Sequence, residues 1–480
     1  MKRLKELIPC KHEILISSIE EDSRVKNDNY LFCCIKGLTV DGHDYVNQAI
    51  DNGAVAVLSE KKLNVNVPVI KVEDTNKAMI EVLSRFYNEV DKKMNLIGVT
   101  GTDGKTTVTS IIYQLINQMD KAGYIGTNGI ECDGYTQESN LTTPFPVQLF
   151  KALDGFYKQG CKYATIEVSS ERLITNRIDD ILFDIVIFTN LTKDHINNHK
   201  TYTNYRKSKG KLFGMVKDGG YSIINNDEPF ADYFIKASKG KVITYGVENA
   251  SDYTASDIVV LPDRLSFTLK TDEGTYLVES PLSGRFNVYN LLASIIACHK
   301  LGFEISEIVE NIKKLKCIMG RTNIIDFNDC FKVVIDFAHT ANSLKNLLEY
   351  VSVISRGNII TVTGSAGGRD KIKRPDMGKV VTSLSDYVIF TSDDPRDEDP
   401  NDIIDDMVSG LDINKVNYRR IIDRSKAIEE ALNIAKKGDV VVIAGRGNDT
   451  FMPVGSSYVR CNDFEEVYNN LEKRGVKNAW

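Results

Sequence analysis

Gly101 to Thr107 reads GTDGKTT, between the apolar run LIGVT and a helical pattern spanning Thr106 to Met119. That arrangement suits phosphate chemistry. Glycines let backbone N–H groups close on phosphate oxygens, and the following helix presents its positive end to them. Gly101, Thr102, Asp103, Gly104 and Thr107 would shape the loop. Lys105 would reach the terminal phosphates of a nucleoside triphosphate, and Thr106 would offer its hydroxyl to magnesium. The strict phosphate-loop pattern asks for glycine at position 99, which is Val99 here, so this is a shortened variant. The competing reading is a tight strand-to-helix turn capped by threonine. Glu167 closes the apolar run YATIEV, the end of a strand at which α/β folds gather ligand-binding groups. Its plain alternative is a solvated strand-end carboxylate.

These residues need elements to hold them. Tyr30 to Ile35 and Ala54 to Leu58 read as strands around a helix from Tyr45 to Asn52, and Val69 to Val72 as a strand before a helix reaching about Val90. Asp91, Lys92 and Lys93 look like a charged junction. From Asn95 a second unit starts, with further buried strands ending near Glu167 and Asn190. A third begins near Gly320, with strands at Lys332 to Ile335, Ile359 to Thr363, Tyr387 to Thr391 and Asp439 to Ile443. Strands alternating with helices predict parallel, doubly wound sheets. At about 150 residues per domain, 480 residues make about three α/β domains, at 1–93, 94–319 and 320–480.

Composition sets outer limits. Hydrophobic content of 42% and charged content of 26% are ordinary for a soluble globular protein. A net charge of -6 argues against a general nucleic-acid binder, which carries a basic surface. The nine cysteines include no C-x-x-C pair, so a reducing cytoplasm is the expected location. No run approaches the roughly 18 apolar residues of a membrane span, and MKRLKELIPC lacks the apolar stretch of a signal peptide. Neither membrane insertion nor a nucleic-acid partner is expected. Oligomeric state is left open, with a monomer as the default.

The order of motifs along the chain adds something that no single one provides. GVTGTDGKTT is similar to the nucleotide loop of the Mur ligase superfamily. DSR (Asp22 to Arg24), LFCCIKG and DGHDYVNQAIDNGAVAVL resemble the UDP-recognition domain of its diamino-acid-adding branch. TTP (Thr142 to Pro144), IEVSS, FTNLTKDHINNH, YRKSKGKLF, GRFNVYNLLA, GRT, DFAHTANSL, GRDKIKRPDMG, SDDPRDEDP and AGRGND follow in the family's order. The resemblance implies an N-terminal UDP-binding domain, a central ATP-binding domain with a parallel sheet, and a C-terminal Rossmann-like domain. It also implies the reaction. ATP phosphorylates a carboxylate of a UDP-N-acetylmuramoyl dipeptide, a diamino acid attacks the acyl phosphate, and ADP and phosphate leave.

Residue roles follow from the same resemblance. Glu167, His195 and Lys209 would join Thr106 and Lys105 around ATP and magnesium, with Lys209 carbamylated so that it binds metal as an anion. By its surroundings alone, YRKSKGKLF is a solvated basic helix face. Asn287 and Asn290 would lie near adenine, and Arg321, Asp336 and His339 would reach ATP from the third domain. Ser23 and His43 match a uridine pocket. Thr142, Thr143, Ser169 and Arg177 match groups that hold pyrophosphate and muramoyl peptide. Arg369, Asp393, Asp394, Pro395, Arg396, Gly445 and Asp449 match the amino-acid pocket.

Arg396 suits a distal carboxylate and favours diaminopimelate. Asp394 stands where the family usually has asparagine; an extra carboxylate there would attract a side-chain ammonium, which keeps L-lysine as a second candidate. Leu141, Glu171, Asn448 and Asp449 also depart from the family's usual residues, as does the order of glycines in SAGGRD. All of these lie around the amine and sugar substrates, none in the phosphate loop. The competing functions are a related ligase with another amine or acyl substrate, a non-catalytic ATP-binding regulator, and, from GSAGG alone, a dinucleotide oxidoreductase. The folate-like version of the first lacks a counterpart to DSR and DGH, and the last lacks G-x-G-x-x-G.

Overall fold

Tyr30, Leu31, Phe32 and Cys33 are consecutive, apolar and all buried, which requires a strand covered on both faces. The computed structural model describes residues 1–37, 40–139, 141–194, 196–327, 330–412 and 414–473. These fall into two units, the first made of Met1–Gly101, Val108–Thr189 and Arg206–Thr244 and the second of Thr102–Thr107, Asn190–Tyr205 and the chain from Tyr245 onward.

Besides a two-stranded antiparallel pair, Lys2–Arg3 with Leu15–Ile16, the first unit holds strands of two larger sheets. Ser18–Glu20, Tyr30–Cys33, Ala54–Ser59 and Val69–Lys71 pair in that order, all parallel. Tyr30, Phe32, Val46, Ala49 and Val57 form the core between this sheet and the helix Val46–Asp51. In the other sheet, Asn95–Thr100 lies between Tyr163–Glu167 and Phe183–Phe188, parallel to both. Ala122–Gly126 extends it beyond Tyr163–Glu167. Gly98 is required by close approach, since a Cβ there would meet the Phe183 ring at 2.9 Å. The expected charged junction at Asp91 to Lys93 has the form of a helical turn, Val90–Lys93. Within it Asp91 is buried and accepts a hydrogen bond from Ser84 Oγ at 2.7 Å.

The second unit carries a sheet ordered Asn323–Phe327, Phe331–Asp336, Val440–Ala444, Ile359–Thr363, Tyr387–Phe390, Tyr418–Arg420. Only its first pair is antiparallel. Alternate residues face opposite layers. Val334 and Val442 pack with Leu344, Leu348 and Met377, while Val333, Ile335 and Val441 pack with Ala427 and Ile428. Helices therefore cover both faces, as the doubly wound expectation requires. The same unit contains an antiparallel meander, Tyr253–Val260, Leu265–Thr271 and Gly274–Ser280, which the sequence reading did not anticipate. Its signal was there in LSFTLKT, whose residues alternate between buried and more exposed. All nine cysteines are free. No helix among the described residues is long and apolar enough to cross a membrane.

Gly378, in the helix Arg374–Leu384, touches the next helix, Pro400–Val408. A Cβ at Gly378 would meet the Met407 carbonyl oxygen at 1.9 Å. Alanine gains about 1 kcal/mol of helix propensity in an open helix. Here it must push a backbone carbonyl away, and overpacking of that kind costs about 1–3 kcal/mol. We expect Gly378→Ala to lower the urea-unfolding midpoint; an unchanged or higher midpoint would show that the two helices separate freely.

Candidate active site

In the first unit the polar residues converge on the end of the strand Tyr163–Glu167. Glu167 is fully buried, and its carboxylate accepts from Tyr124 OH at 2.8 Å, Thr127 N at 2.9 Å and Thr127 Oγ1 at 3.2 Å. It is not the solvated strand-end group of the plain alternative. Gly126 makes room for it, since a Cβ there would lie 2.2 Å from Glu167 Oε1. Thr127 Oγ1 also reaches Thr142 Oγ1 at 3.2 Å. Thr143 Oγ1 donates to the Glu167 carbonyl at 2.6 Å and accepts from Ser169 N at 2.9 Å. Ser169 then caps the helix Ser170–Ile174. Thr142, Thr143, Glu167 and Ser169 thus form one hydrogen-bonded group. Tyr124, Gly126 and Thr127 belong to it too, and no local motif marks them.

Arg177 is engaged otherwise. It forms an ion pair with Glu21, and its guanidinium lies 5.2 Å from the centre of the Phe145 ring. Burial pushes the Glu21 carboxyl upward, against the pull of Arg177. Ser23 donates to Gln48 Oε1 at 2.7 Å, and its carbonyl accepts from Asn52 Nδ2 at 2.8 Å. His43 is buried and bonded through Nδ1 to Asp41 at 2.6 Å, while among the described residues its Nε2 has no hydrogen-bond partner. A buried ring nitrogen in that state suits a ligand's polar edge. Lys209 is 1% exposed and donates from Nζ to the Gly101 carbonyl at 2.6 Å. The solvated-face reading of YRKSKGKLF therefore fails at Lys209, because tertiary packing turns that side chain inward.

The second unit holds the rest of the phosphate loop. Asp103 N donates to Asn190 Oδ1 at 2.8 Å, and Asn190 Nδ2 returns a bond to the Asp103 carbonyl at 3.1 Å. Thr102 N donates to the Asn190 carbonyl at 2.9 Å, and Thr102 Oγ1 is 3.1 Å from Tyr205 OH. Gly104 has φ +83°, a conformation glycine adopts without strain. Lys105, at the start of the helix Lys105–Asn117, folds its Nζ back to the Thr102 carbonyl at 2.8 Å. Thr106 Oγ1 accepts from Arg321 Nη2 at 2.8 Å, with the guanidinium stacked 4.4 Å from the Phe337 ring centre.

Asp336 accepts from Thr322 N and Ala338 N, both at 2.7 Å. Burial pushes its carboxyl upward against Arg321. His339 Nε2 lies 3.8 Å from Asp194 Oδ2, and Lys373 Nζ is 3.1 Å from Asp194 Oδ1. Beside them is a cavity of about 190 Å³ lined by Thr192, Lys193, Thr340, Asp370 and Lys373 among others. Loop residues, Arg321 and His339 are thus gathered, and Asn190, Asp194 and Lys373 join them without having been singled out. Asn287 and Asn290 are on the helix Phe286–Lys300; Asn290 Nδ2 donates to Asn287 Oδ1 at 2.9 Å. His195 lies outside the described residues. Among the described residues no group of three or more His, Cys, Asp or Glu is arranged to hold a metal.

A third cluster is built on two facing turns. A Cβ on Gly367 would sit 1.8 Å from the Pro395 carbonyl oxygen, and Gly367 N donates to the Asp394 carbonyl at 2.9 Å. Gly368, next to Arg369, lies against the Arg396 side chain. Asp394 and Arg396 both have left-handed backbones, at φ +45° and +53°. Glu398 braces the first turn, accepting from Gly368 N at 2.6 Å and Arg374 Nη1 at 3.0 Å. Asp394 is ion-paired with Arg446, whose side chain is wholly buried, and Asp393 lies 3.9 Å from the same guanidinium. Burial and Asp393 raise the Asp394 carboxyl against the pull of Arg446. The extra carboxylate at position 394 is therefore already paired with a base. Gly445 is needed because a Cβ would meet Asp393 Oδ2 at 2.2 Å. Asp449 N donates to the Arg446 carbonyl at 3.0 Å.

Three family descriptions match the chain. Residues 15–87 match the Mur ligase family catalytic domain, 99–298 the Mur ligase middle domain, and 320–447 the Mur ligase glutamate ligase domain. A UDP-N-acetylmuramoyl-L-alanyl-D-glutamate--2,6-diaminopimelate ligase of Geobacillus thermodenitrificans is 38% identical over 93% of this chain and 93% of its own. One of Clostridioides difficile is 39% identical over 95% of each. A solved structure of a ligase of that name superposes with a TM-score of 0.69 at 31% identity, covering 99% of this chain and 100% of that one. The MurF ligase of Thermotoga maritima, solved with ADP, shares the fold at a TM-score of 0.66 and 18% identity, covering 95% and 98%.

Burial pushes the Asp449 carboxyl up to about 6 from an ordinary 3.8. With the folded value raised, the buried acid favours the fold below pH 4, and that contribution is lost as pH rises through about 6. Asp449→Asn should therefore gain thermal stability relative to the parent as pH moves from 4 to 7. A constant difference in Tm across that range would mean that Asp449 ionises freely.

Proposed function

The chain belongs to the Mur ligase family, and from that premise we propose that it is an ATP-dependent, ADP-forming acid–amino-acid ligase. It joins a diamino acid, meso-diaminopimelate in preference to L-lysine, to the D-glutamyl carboxylate of UDP-N-acetylmuramoyl-L-alanyl-D-glutamate. The product is the UDP-N-acetylmuramoyl tripeptide of peptidoglycan synthesis. What carries the reading is near full-length identity to ligases of that name. The domain limits that go with it are 1–93, 94–319 and 320–480, and each matched family segment lies inside one of them. A cytoplasmic location belongs to the same reading, because ATP and the nucleotide sugar are made there.

The chemistry needs an electrophilic carboxylate, neutralised phosphates and an unprotonated amine. A carboxylate oxygen of the dipeptide attacks the γ-phosphorus, the bond to the β-phosphate oxygen breaks, and ADP departs. The amine nitrogen then attacks the acyl carbon, loses a proton, and expels inorganic phosphate. Positioning and charge do most of the work in such transfers. Lys105, the backbone of Gly101 to Thr107 and the helix that Lys105 begins serve the phosphates. Arg321 adds a cation at Thr106 Oγ1, which supports its assignment to ATP together with Asp336 and His339. Asn287 and Asn290 are proposed for adenine.

Ser23 and His43 are proposed for the uridine, and Thr142, Thr143, Ser169 and Arg177 for the pyrophosphate and muramoyl peptide. The unpaired Nε2 of His43 favours the first assignment. Magnesium fits the chemistry of the donors: Glu167 and Thr106 provide oxygens, the type a hard cation takes, with His195 and a carbamylated Lys209 as the other ligands. The ion would supply positive charge to the phosphates. Arg369, Arg396, Gly445, Asp449 and the Asp393 to Pro395 turn are proposed for the amine.

The test is phosphate release by the purified protein with magnesium, ATP and the UDP-dipeptide, supplying meso-diaminopimelate, L-lysine and L-ornithine separately and weighing products by mass spectrometry. Turnover is expected with diaminopimelate. Lys105→Ala should reduce kcat by about 10²–10³-fold, the cost of one lost transition-state donor. Silence with all three amines alongside tight ATP binding would overturn the reading.

A further inference from the structure

We propose that Lys373 is a positioning residue for the nucleotide: it holds Asp194, and through Asp194 the segment that braces the phosphate loop. The inference rests on the assignment of that loop to ATP and adds the group that keeps the loop in its binding shape.

The loop takes its support from beyond the strand that leads into it. Asn95–Thr100 and Phe183–Phe188 belong to the first unit, whereas the segments that follow them, Thr102–Thr107 and Asn190–Tyr205, belong with the chain after Tyr245. The two segments are laced together. Asp103 and Asn190 exchange hydrogen bonds, Thr102 N donates to the Asn190 carbonyl at 2.9 Å, and Thr192 N donates to Thr102 Oγ1 at 3.0 Å. Two residues on, Asp194 is buried and lies 3.1 Å from Lys373 Nζ, whose side chain is 8% exposed. His339 Nε2 is 3.8 Å from the other carboxylate oxygen, and Ile196 N donates to Asp370 Oδ2 at 3.4 Å, so the Lys373 contact is the shortest of the three.

Apolar packing does not do this work. A cavity of about 190 Å³ is lined by Thr192, Lys193 and Ile196 of the segment and by Thr340, Asp370 and Lys373 from later in the chain. Lys373 itself has a firm base. It ends the turn Lys371–Lys373, which Asp370 caps, and the next residue, Arg374, is bonded to Glu398 and Asp406. Thr340 and Arg321 reach the loop directly, at Asp103 Oδ2 and Thr106 Oγ1; Lys373 acts on the segment behind it. Removing one partner of a buried ion pair leaves the other charge uncompensated. Without Lys373, Asp194 would turn toward water and loosen Asn190 with it. A loop that must first be reassembled binds phosphate less tightly than one already formed.

Calorimetric titration of the full-length protein with ADP and magnesium, and separately with the UDP-dipeptide, gives two dissociation constants. Lys373→Met should weaken ADP binding about fivefold or more and leave the UDP-dipeptide within about twofold, a split that a general loss of structure would not produce. Lys373→Arg, which keeps the charge, should recover most of the ADP affinity. Asp194→Asn should weaken ADP binding too, and Lys373→Met/Asp194→Asn should be no weaker than the worse single variant, because the pair acts as one unit. In the parent, ADP should in return slow amide exchange from Asp370 to Arg374, since coupling is reciprocal. ADP affinity within about twofold of the parent in Lys373→Met, an equal fall for both ligands, or additive losses in the double variant overturns the inference. Unchanged amide exchange in the parent overturns it whether or not the variants fold. A parent that binds ADP but turns over no amine overturns the ligase reading and leaves this inference standing. A parent that binds no ADP overturns both.

Discussion

Three guanidiniums in the second unit, those of Arg374, Arg424 and Arg446, have no exposed side-chain surface. A charge taken out of water costs several kcal/mol unless it is paired and hydrogen-bonded. Each of them is met by acids. Arg374 bonds Glu398 and Asp406, Arg424 bonds both oxygens of Asp463, and Arg446 holds Asp394. The partners are turns and helix ends rather than strand interiors. Arg374 thereby secures the glycine turn at Gly367 and Gly368 through Glu398, and Arg446 secures the turn after Tyr387–Phe390. The demand that buried charge be satisfied is what ties these loops at the ends of parallel strands to one another.

The same constraint operates at the phosphate loop with neutral groups. Asn190 is the second residue beyond Phe183–Phe188, and its amide takes one bond from Asp103 and gives one back. Loop conformation is thus set before any phosphate arrives, which is the condition for electrostatic stabilisation without reorganisation. Glu167 is prepared similarly. Tyr124 and Thr127 orient its carboxylate from the neighbouring strand Ala122–Gly126 and the turn after it, and Gly126 keeps the space open.

What could be read from the chain depended on how local the cause was. GTDGKTT was legible because the glycine turn, the lysine and the helix start are adjacent, and the structure begins that helix at Lys105. The strands from Ile359 and Tyr387 were legible as short apolar runs. Burial of Lys209 was not, since it depends on a carbonyl 108 residues earlier in the chain. Tyr124 and Thr127 were invisible for the same reason, lying 43 and 40 residues from Glu167. The meander after Tyr253 was missed because each strand is half exposed and its alternation was not weighed against the parallel pattern around it.

Asp394 and Asp449, which both depart from the family's usual residues, look unrelated in sequence, being separated by more than fifty positions. In the structure both touch one residue. Arg446 pairs with Asp394 through its guanidinium and accepts from Asp449 N at its carbonyl, and its charge pulls both carboxyls down against the effect of burial. An aspartate at 394 without a base behind it would add an unpaired, partly buried charge; with Arg446 there it adds a neutral pair. Burial lets Asp449 hold its proton to a higher pH than an exposed carboxyl does. Two aspartates far apart in sequence are therefore joined through one buried guanidinium residue, the first by an ion pair and the second by a backbone hydrogen bond.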